Sequence, residues 1–154
     1  MKVKYSAKRE NRMVNQTQFR QWGRKVIDIE KAALDNLYQY VDSVEFGQAC
    51  ELILQCKGKV IVMGMGKSGH IGNKISATFA STGTPAFFVH PGEASHGDLG
   101  ALAKNDIVLA ISNSGESSEI LTLMPVIQRM GVPVIAVTGK PDSNMARLSK
   151  IHLC

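Results

Sequence analysis

Beyond Lys57 the chain alternates between short apolar runs and helical segments: KVIVM, SGHIGNKISATFAS, PAFFV, DIVLAIS, a helical stretch around Ser117–Met130, PVIAVT, SNMARLS and IHLC. Continuously apolar strands are those of a sheet buried on both faces, and strands separated by helices pair in parallel. The pattern predicts an α/β fold, a three-layer α/β/α sandwich around a five-stranded parallel sheet. Pro85, Pro133, Gly83 and Gly131 fall between the elements, where turns belong. In such sheets ligands bind outside the carboxyl ends of the strands, near a switch in strand order. Three segments follow strands directly, GMGKSG, HPGEASHGDLG and SNSGESSE, and these are where the chemistry is expected.

Ahead of the sheet, Val26, Ile29, Ala33, Leu37 and Tyr40, then Phe46, Cys50 and Ile53, recur at spacings of three and four, which predicts two N-terminal helices broken near Asp42–Ser43. These helices hold more apolar residues than one face of a small sheet needs, so part of them is expected to pack on a partner subunit in a homo-oligomer. The 154 residues suit one domain, expected over residues 18–154, preceded by a basic polar leader over residues 1–17 that is expected to be disordered. Residues 1–25 carry eight Lys/Arg against one acid, Glu10. With few aromatics, this leader reads as a solvated tail and not as a nucleic-acid surface. A charged start also opens signal peptides, yet no apolar stretch of about 7–15 residues follows, and no run approaches the roughly 18 needed to span a membrane. A cytoplasmic protein with neither nucleic acid nor membrane as partner is expected. The three cysteines, Cys50, Cys56 and Cys154, lack a C-x-x-C spacing. They read as reduced, with Cys50 and Cys56 in a helix core.

The stretch VIVMGMGKSG over residues 60–69 raises three ligand classes at once. Gly64, Gly66 and Gly69 fit G-x-G-x-x-G between strand and helix, but the dinucleotide fingerprint also needs an acid at the end of the second strand, which here ends in His90. Lys67–Ser68 imitates the end of a P-loop, whose first glycine would fall on Ile61. No NAD or ATP cofactor is therefore expected. What survives is a glycine turn through which backbone amides, Gly66 among them, with Lys67 and Ser68 approach a small anion at a helix start.

In Ser112-Asn113-Ser114-Gly115-Glu116-Ser117 three hydroxyls surround a glycine at the start of a helix, offering donors to a phosphate. The competing reading is a helix cap, with Asn113 or Ser114 as N-cap and Glu116 folding back in a box-like arrangement. One cap needs one hydroxyl, which favours the phosphate.

The segments GMGKSGHIGNKISATFASTGTPAFFVHPGEASHGDLG and ISNSGESSEI together resemble the sugar isomerase (SIS) domain of bacterial arabinose-5-phosphate isomerases, over roughly residues 20–154. The resemblance implies interconversion of D-ribulose 5-phosphate and D-arabinose 5-phosphate through an enediol, for synthesis of the eight-carbon acid of lipopolysaccharide or capsule (KDO). It also implies a homotetramer, a pentose phosphate as the small-molecule partner, and no cofactor. Members of the family continue into a helical segment with a further glutamate and a His-Pro-Gly-Gly loop, and into two regulatory CBS modules. The chain is thus expected to be C-terminally truncated relative to the family and weakly active or inactive alone. The alternative is a non-catalytic phosphosugar sensor; a regulator would bring a DNA-reading module, and 17 leading residues cannot build a helix-turn-helix.

Enediol isomerisation needs a positioned base, a group that polarises the oxygens and a phosphate anchor. Ser112, Asn113, Ser114 and Ser117, with Ser68, are the expected anchors, and the resemblance carries Lys67 and Glu119 over as catalytic. Glu119 is the more suggestive acid because Glu116 has a capping role available. His90 and His96 flank the second loop beside Glu93 and Asp98. Their spacing is not that of a helical zinc protease, so no metal is required, although zinc could bind His90 and His96 adventitiously. One of the two, acting as a neutral imidazole that donates to the oxygens, is the expected third catalytic group, and which one stays open. His70 and His152 are expected to be structural.

Overall fold

The structure, a computed structural model, describes residues 16–94 and 97–154. The chain divides between Tyr38 and Gln39 into two units. The first contains α1 (Gln16–Asp35), which starts two residues inside the stretch expected as leader; residues 1–15 lie outside the described residues. Phe19 and Trp22 stack edge to face on α1 with ring centroids 5.9 Å apart, and Val26 and Ile29 continue their stripe. All four are exposed, and no residue of α1 is buried. A short helix, α2 (Tyr38–Val41), follows an unpredicted break at Asn36–Leu37, where Leu37 N–H turns back to the Leu34 carbonyl at 2.9 Å.

In the second unit α3 (Val44–Leu54) starts at the predicted break, because Ser43 caps it, accepting from Phe46 N–H at 3.2 Å. The strands are β1 (Val60–Gly64), β2 (Ala86–Val89), β3 (Ile107–Ile111), β4 (Val134–Val137) and β5 (Ile151–Leu153). Between them run α4 (Gly66–Ser81), α5 (Pro91–Ala94), a 3-10 turn over Asp98–Ala101, α6 (Ser118–Arg129) and α7 (Asn144–Leu148). All five strands are parallel, as the alternating pattern predicts, and they lie in the order β2-β1-β3-β4-β5. Alternate side chains face opposite layers. Ile61, Met63, Val108, Ala110, Val134 and Ala136 pack on Ile120, Leu123, Met124 and Ile127 of α6 and on Met145 of α7. Val60, Val62, Ile107, Leu109 and Ile135 face the other way, onto Ala49, Leu52 and Ile53 of α3 and Ile75 and Phe79 of α4. The strands read as unbroken apolar runs because both faces are covered.

Two details depart from expectation. Cys50 is exposed, since the sheet-facing stripe of α3 is Ala49, Leu52 and Ile53 and Cys50 lies off it, whereas Cys56, half-buried just past the helix, does pack against that core. The loop after β2, expected to be irregular at its Pro-Gly, folds into the helical turn α5, in which Pro91 supplies a preset φ at the first position. At the opposite, amino end of the sheet, Asp106 is 1% exposed and accepts from the backbone N–H of Lys59 and of Ala103, each at 2.8 Å, with Lys59 Nζ 3.9 Å away. It ties the entries of β1 and β3 together.

Candidate functional site

The strand order reverses between β1 and β3, so the chain leaves these neighbours toward opposite layers and opens a crevice at their carboxyl ends. Gly64 pairs with Ile111, which sets the α4 start level with Ser112, one strand spacing of about 4.8 Å away. On the other side of β1, His90 follows Val89, the partner of Met63. Register alone therefore brings the three predicted loops to one edge.

The glycines of G-x-G-x-x-G have a packing reason that involves no dinucleotide. A Cβ on Gly64 would lie 2.8 Å from the Ser68 carbonyl, and one on Gly69 2.8 Å from the Gly64 carbonyl oxygen, so bare backbone is required where α4 leaves the strand. Gly66 opens α4 at φ +51°, with Lys67 exposed and Ser68 half-buried in its first turn.

The loop after β3 gathers hydroxyls. Ser112, 4% exposed, has its Oγ 2.8 Å from Ser117 Oγ and 3.5 Å from Ser114 Oγ, and it accepts from Gly115 N–H at 3.2 Å. Ser114 Oγ accepts from Glu116 N–H at 3.2 Å. The capping-box reading fails: α6 is capped by Ser117, three residues or more past the expected position, and Ser117 makes no side-chain cap bond because its hydroxyl is committed to Ser112. Asn113 does not join this cluster; its carbonyl accepts from Gly139 N–H at 3.0 Å and its side chain packs on Gly139. Glu116 turns to the start of α7, accepting from Asn144 N–H at 2.8 Å and from Asn144 Nδ2 at 2.7 Å. These two bonds, the backbone one foremost, with Arg147 and Lys140 nearby, hold its carboxyl below the usual range.

Glu119 is exposed in the first turn of α6, its Oε2 accepting from Ser118 Oγ at 3.1 Å. Of the two flanking histidines, His96 lies outside the described residues. His90 accepts on Nδ1 from Gly92 N–H at 3.2 Å, which leaves the proton of a neutral ring on Nε2 as a donor. His70 is exposed and lines a cavity of about 350 Å³ with Gly66, Gly69, Asn73, Phe88 and His90. The sequence reading missed it because only the α4 register turns it toward β2. His152 bonds through Nε2 to Thr138 Oγ1 at 2.8 Å, in keeping with a structural role. Among the described residues no group of three or more His, Cys, Asp or Glu could hold a metal, and no helix is long and apolar enough to cross a membrane.

The fold and the loop define a class: a parallel α/β domain that presents a hydroxyl-lined helix start at its switch point. Residues 53–154 match the SIS domain, and the chain belongs to that family. Over 136 residues it is 61% identical to the arabinose 5-phosphate isomerase KdsD of Escherichia coli K12 and 62% identical to that of Yersinia pestis, in each case 88% of this chain and 41% of the relative. The chain thus spans about two fifths of the length of these curated relatives. Among solved structures it is similar to E. coli CFT073 c3406 in complex with arabinose 5-phosphate, with a TM-score of 0.80 at 42% identity, covering 90% of this chain and 73% of that one.

Proposed function

We propose that this chain carries the sugar-phosphate site of an aldose–ketose isomerase that interconverts D-arabinose 5-phosphate and D-ribulose 5-phosphate through an enediol. The observation that carries the reading is the hydroxyl cluster of Ser112, Ser114 and Ser117 at the start of α6, beside the α4 start with Lys67 and Ser68. Supporting it, curated relatives at about 61% identity are arabinose 5-phosphate isomerases, and a solved relative holds arabinose 5-phosphate.

In this reading the phosphate lies on the serine hydroxyls and the free amides of the α6 and α4 starts, and its binding energy orients the sugar. Lys67 supplies positive charge to the phosphate or the reacting oxygens. Glu119 takes the proton from one carbon and returns it to its neighbour, while an imidazole donates to the oxygens on which charge builds. His90, with its proton on Nε2, has the tautomer for that task; His96 is the other candidate. Neither step asks for a metal or a cofactor. The chain works in the cytoplasm as a homotetramer, its product feeding the eight-carbon acid of lipopolysaccharide or capsule, and the exposed apolar stripe of α1 supports the self-association.

The test is incubation with arabinose 5-phosphate, with ketose formation and calorimetric binding measured in parallel. Binding with turnover supports the reading, and Lys67→Ala should then lose about 10²–10⁴ in rate. Binding without turnover, both in this chain and in a version extended to the length of the curated relatives, favours the phosphosugar sensor. Absence of binding overturns both.

A further inference from the structure

We infer that Glu116 is a positioning residue that fixes the shape of the phosphate loop by clamping it to the start of α7, an inference that rests on the placement of a phosphate at Ser112–Ser117. Within the loop the bonds are short in range: Ser112 Oγ meets the hydroxyls of Ser114 and Ser117 and accepts from Gly115 N–H, Ser114 Oγ accepts from Glu116 N–H, and Gly115 sits at φ +64°. What fastens it to the rest of the domain is the stretch from Gly139, past the end of β4, into the first turn of α7. Gly139 N–H donates to the Asn113 carbonyl at 3.0 Å, Met145 N–H to the Gly115 carbonyl at 3.1 Å, and Asn144 gives both its backbone and its side-chain N–H to the two oxygens of Glu116.

The side chain of Asn144 is itself oriented. Arg147 Nη2 donates to Asn144 Oδ1 at 2.9 Å, which turns the amide nitrogen toward Glu116, while Arg147 Nη1 donates to the Asp142 carbonyl. Glu116 is exposed, so burial does not explain its fixed geometry; two charge-assisted bonds do. The arrangement also resolves an electrostatic conflict. Glu116 is adjacent in sequence to Ser117 and two residues from Ser114, so a carboxylate left to swing would face the bound phosphate dianion and repel it. Committed to Asn144, its charge is turned onto the α7 start, and its own N–H is held by Ser114 Oγ.

The experiment is calorimetric titration of the wild-type chain, Glu116→Ala, Glu116→Gln and Asn144→Asp with arabinose 5-phosphate and, separately, with inorganic phosphate. Glu116→Ala frees the loop and should weaken both ligands about tenfold, the equivalent of one charge-assisted bond at the low end of its range. Asn144→Asp sets two carboxylates against each other and should weaken binding at least as much. Glu116→Gln keeps an acceptor for Asn144 N–H and should recover most of the affinity. A purely structural role would lower the melting temperature and leave the dissociation constants of the folded protein unmoved; that result, or equal affinity in wild type and Glu116→Ala, overturns the inference. If wild type itself binds neither ligand, the phosphate placement has failed and the clamp to a phosphate loop falls with it.

Discussion

Gly115 is the point where the loop after β3 has no room for a side chain. Its φ of +64° costs an L-residue about 1–2 kcal/mol before any contact is considered. A Cβ there would fall 2.2 Å from Ser143 Oγ and 2.4 Å from Ser143 Cβ, and Ser143 is buried at 3% exposure. Ser143 cannot give way without loss: it caps α7 by accepting from Ala146 N–H, worth about 1 kcal/mol. Moving the loop instead breaks the bond from Met145 N–H to the Gly115 carbonyl, worth about another 1 kcal/mol. Gly115→Ala should therefore lose about 2–3 kcal/mol, the backbone term plus whichever of the two bonds gives way. Gly131 provides the control. It has a similar φ of +72° but no atom within 4 Å of its would-be Cβ, so Gly131→Ala should lose only the backbone term of about 1–2 kcal/mol. Urea denaturation of the two variants at one temperature measures both, provided the slopes match wild type. Equal losses at the two positions would refute the reasoning, because they would mean that the contact with Ser143 carries no cost.

Asp106→Ala removes the shared acceptor of the Lys59 and Ala103 N–H groups, two bonds to a buried charged group at about 1.5 kcal/mol each, and should cost about 3 kcal/mol in the same denaturation assay, with Asp106→Asn, which keeps one acceptor, costing less. Ser114→Ala should weaken titrated arabinose 5-phosphate while leaving the melting temperature near wild type, because Ser114 is half-buried and its hydroxyl makes two long bonds, 3.2 Å from Glu116 N–H and 3.5 Å to Ser112 Oγ. The carboxyl of Glu116 is lowered in the folded state, so its stabilising link to Asn144 is present above the ordinary glutamate value of 4.5 and is lost as pH falls through the lower folded value. An acid-side loss of stability that wild type displays below that pH should be smaller in Glu116→Gln, and identical acid profiles would argue against the link.

Strand identity and pairing direction were legible because burial on both faces of a parallel sheet leaves no polar alternation to confuse with a helix, as Val60–Met63 and Ile107–Ile111 illustrate. The register followed from neither composition nor motif, and it is the register that sets Ser112 beside the α4 start. The three serines were legible as a group, since three hydroxyls exceed what one cap requires. The route of Glu116 was not: its partner Asn144 lies 28 residues away, and a local capping box was the nearest explanation in sequence. The bond from Gly139 N–H to the Asn113 carbonyl was out of sight for a related reason, because it joins segments that follow different strands. Cys50 was read as core from helical spacing alone, which locates a stripe but not which of two adjacent stripes the sheet receives. His70 entered view only when α4 was seen to turn it into the cavity beside His90.

The central claim, that a sugar phosphate is held by the loop after β3, is tested most directly by a crystal structure of this chain with arabinose 5-phosphate. The account predicts phosphate oxygens within hydrogen-bond distance of at least two of Ser112, Ser114 and Ser117, with the sugar running from there toward Lys67 and Glu119. A phosphate seated elsewhere, in the cavity beside His70 and His90 for instance, would contradict it.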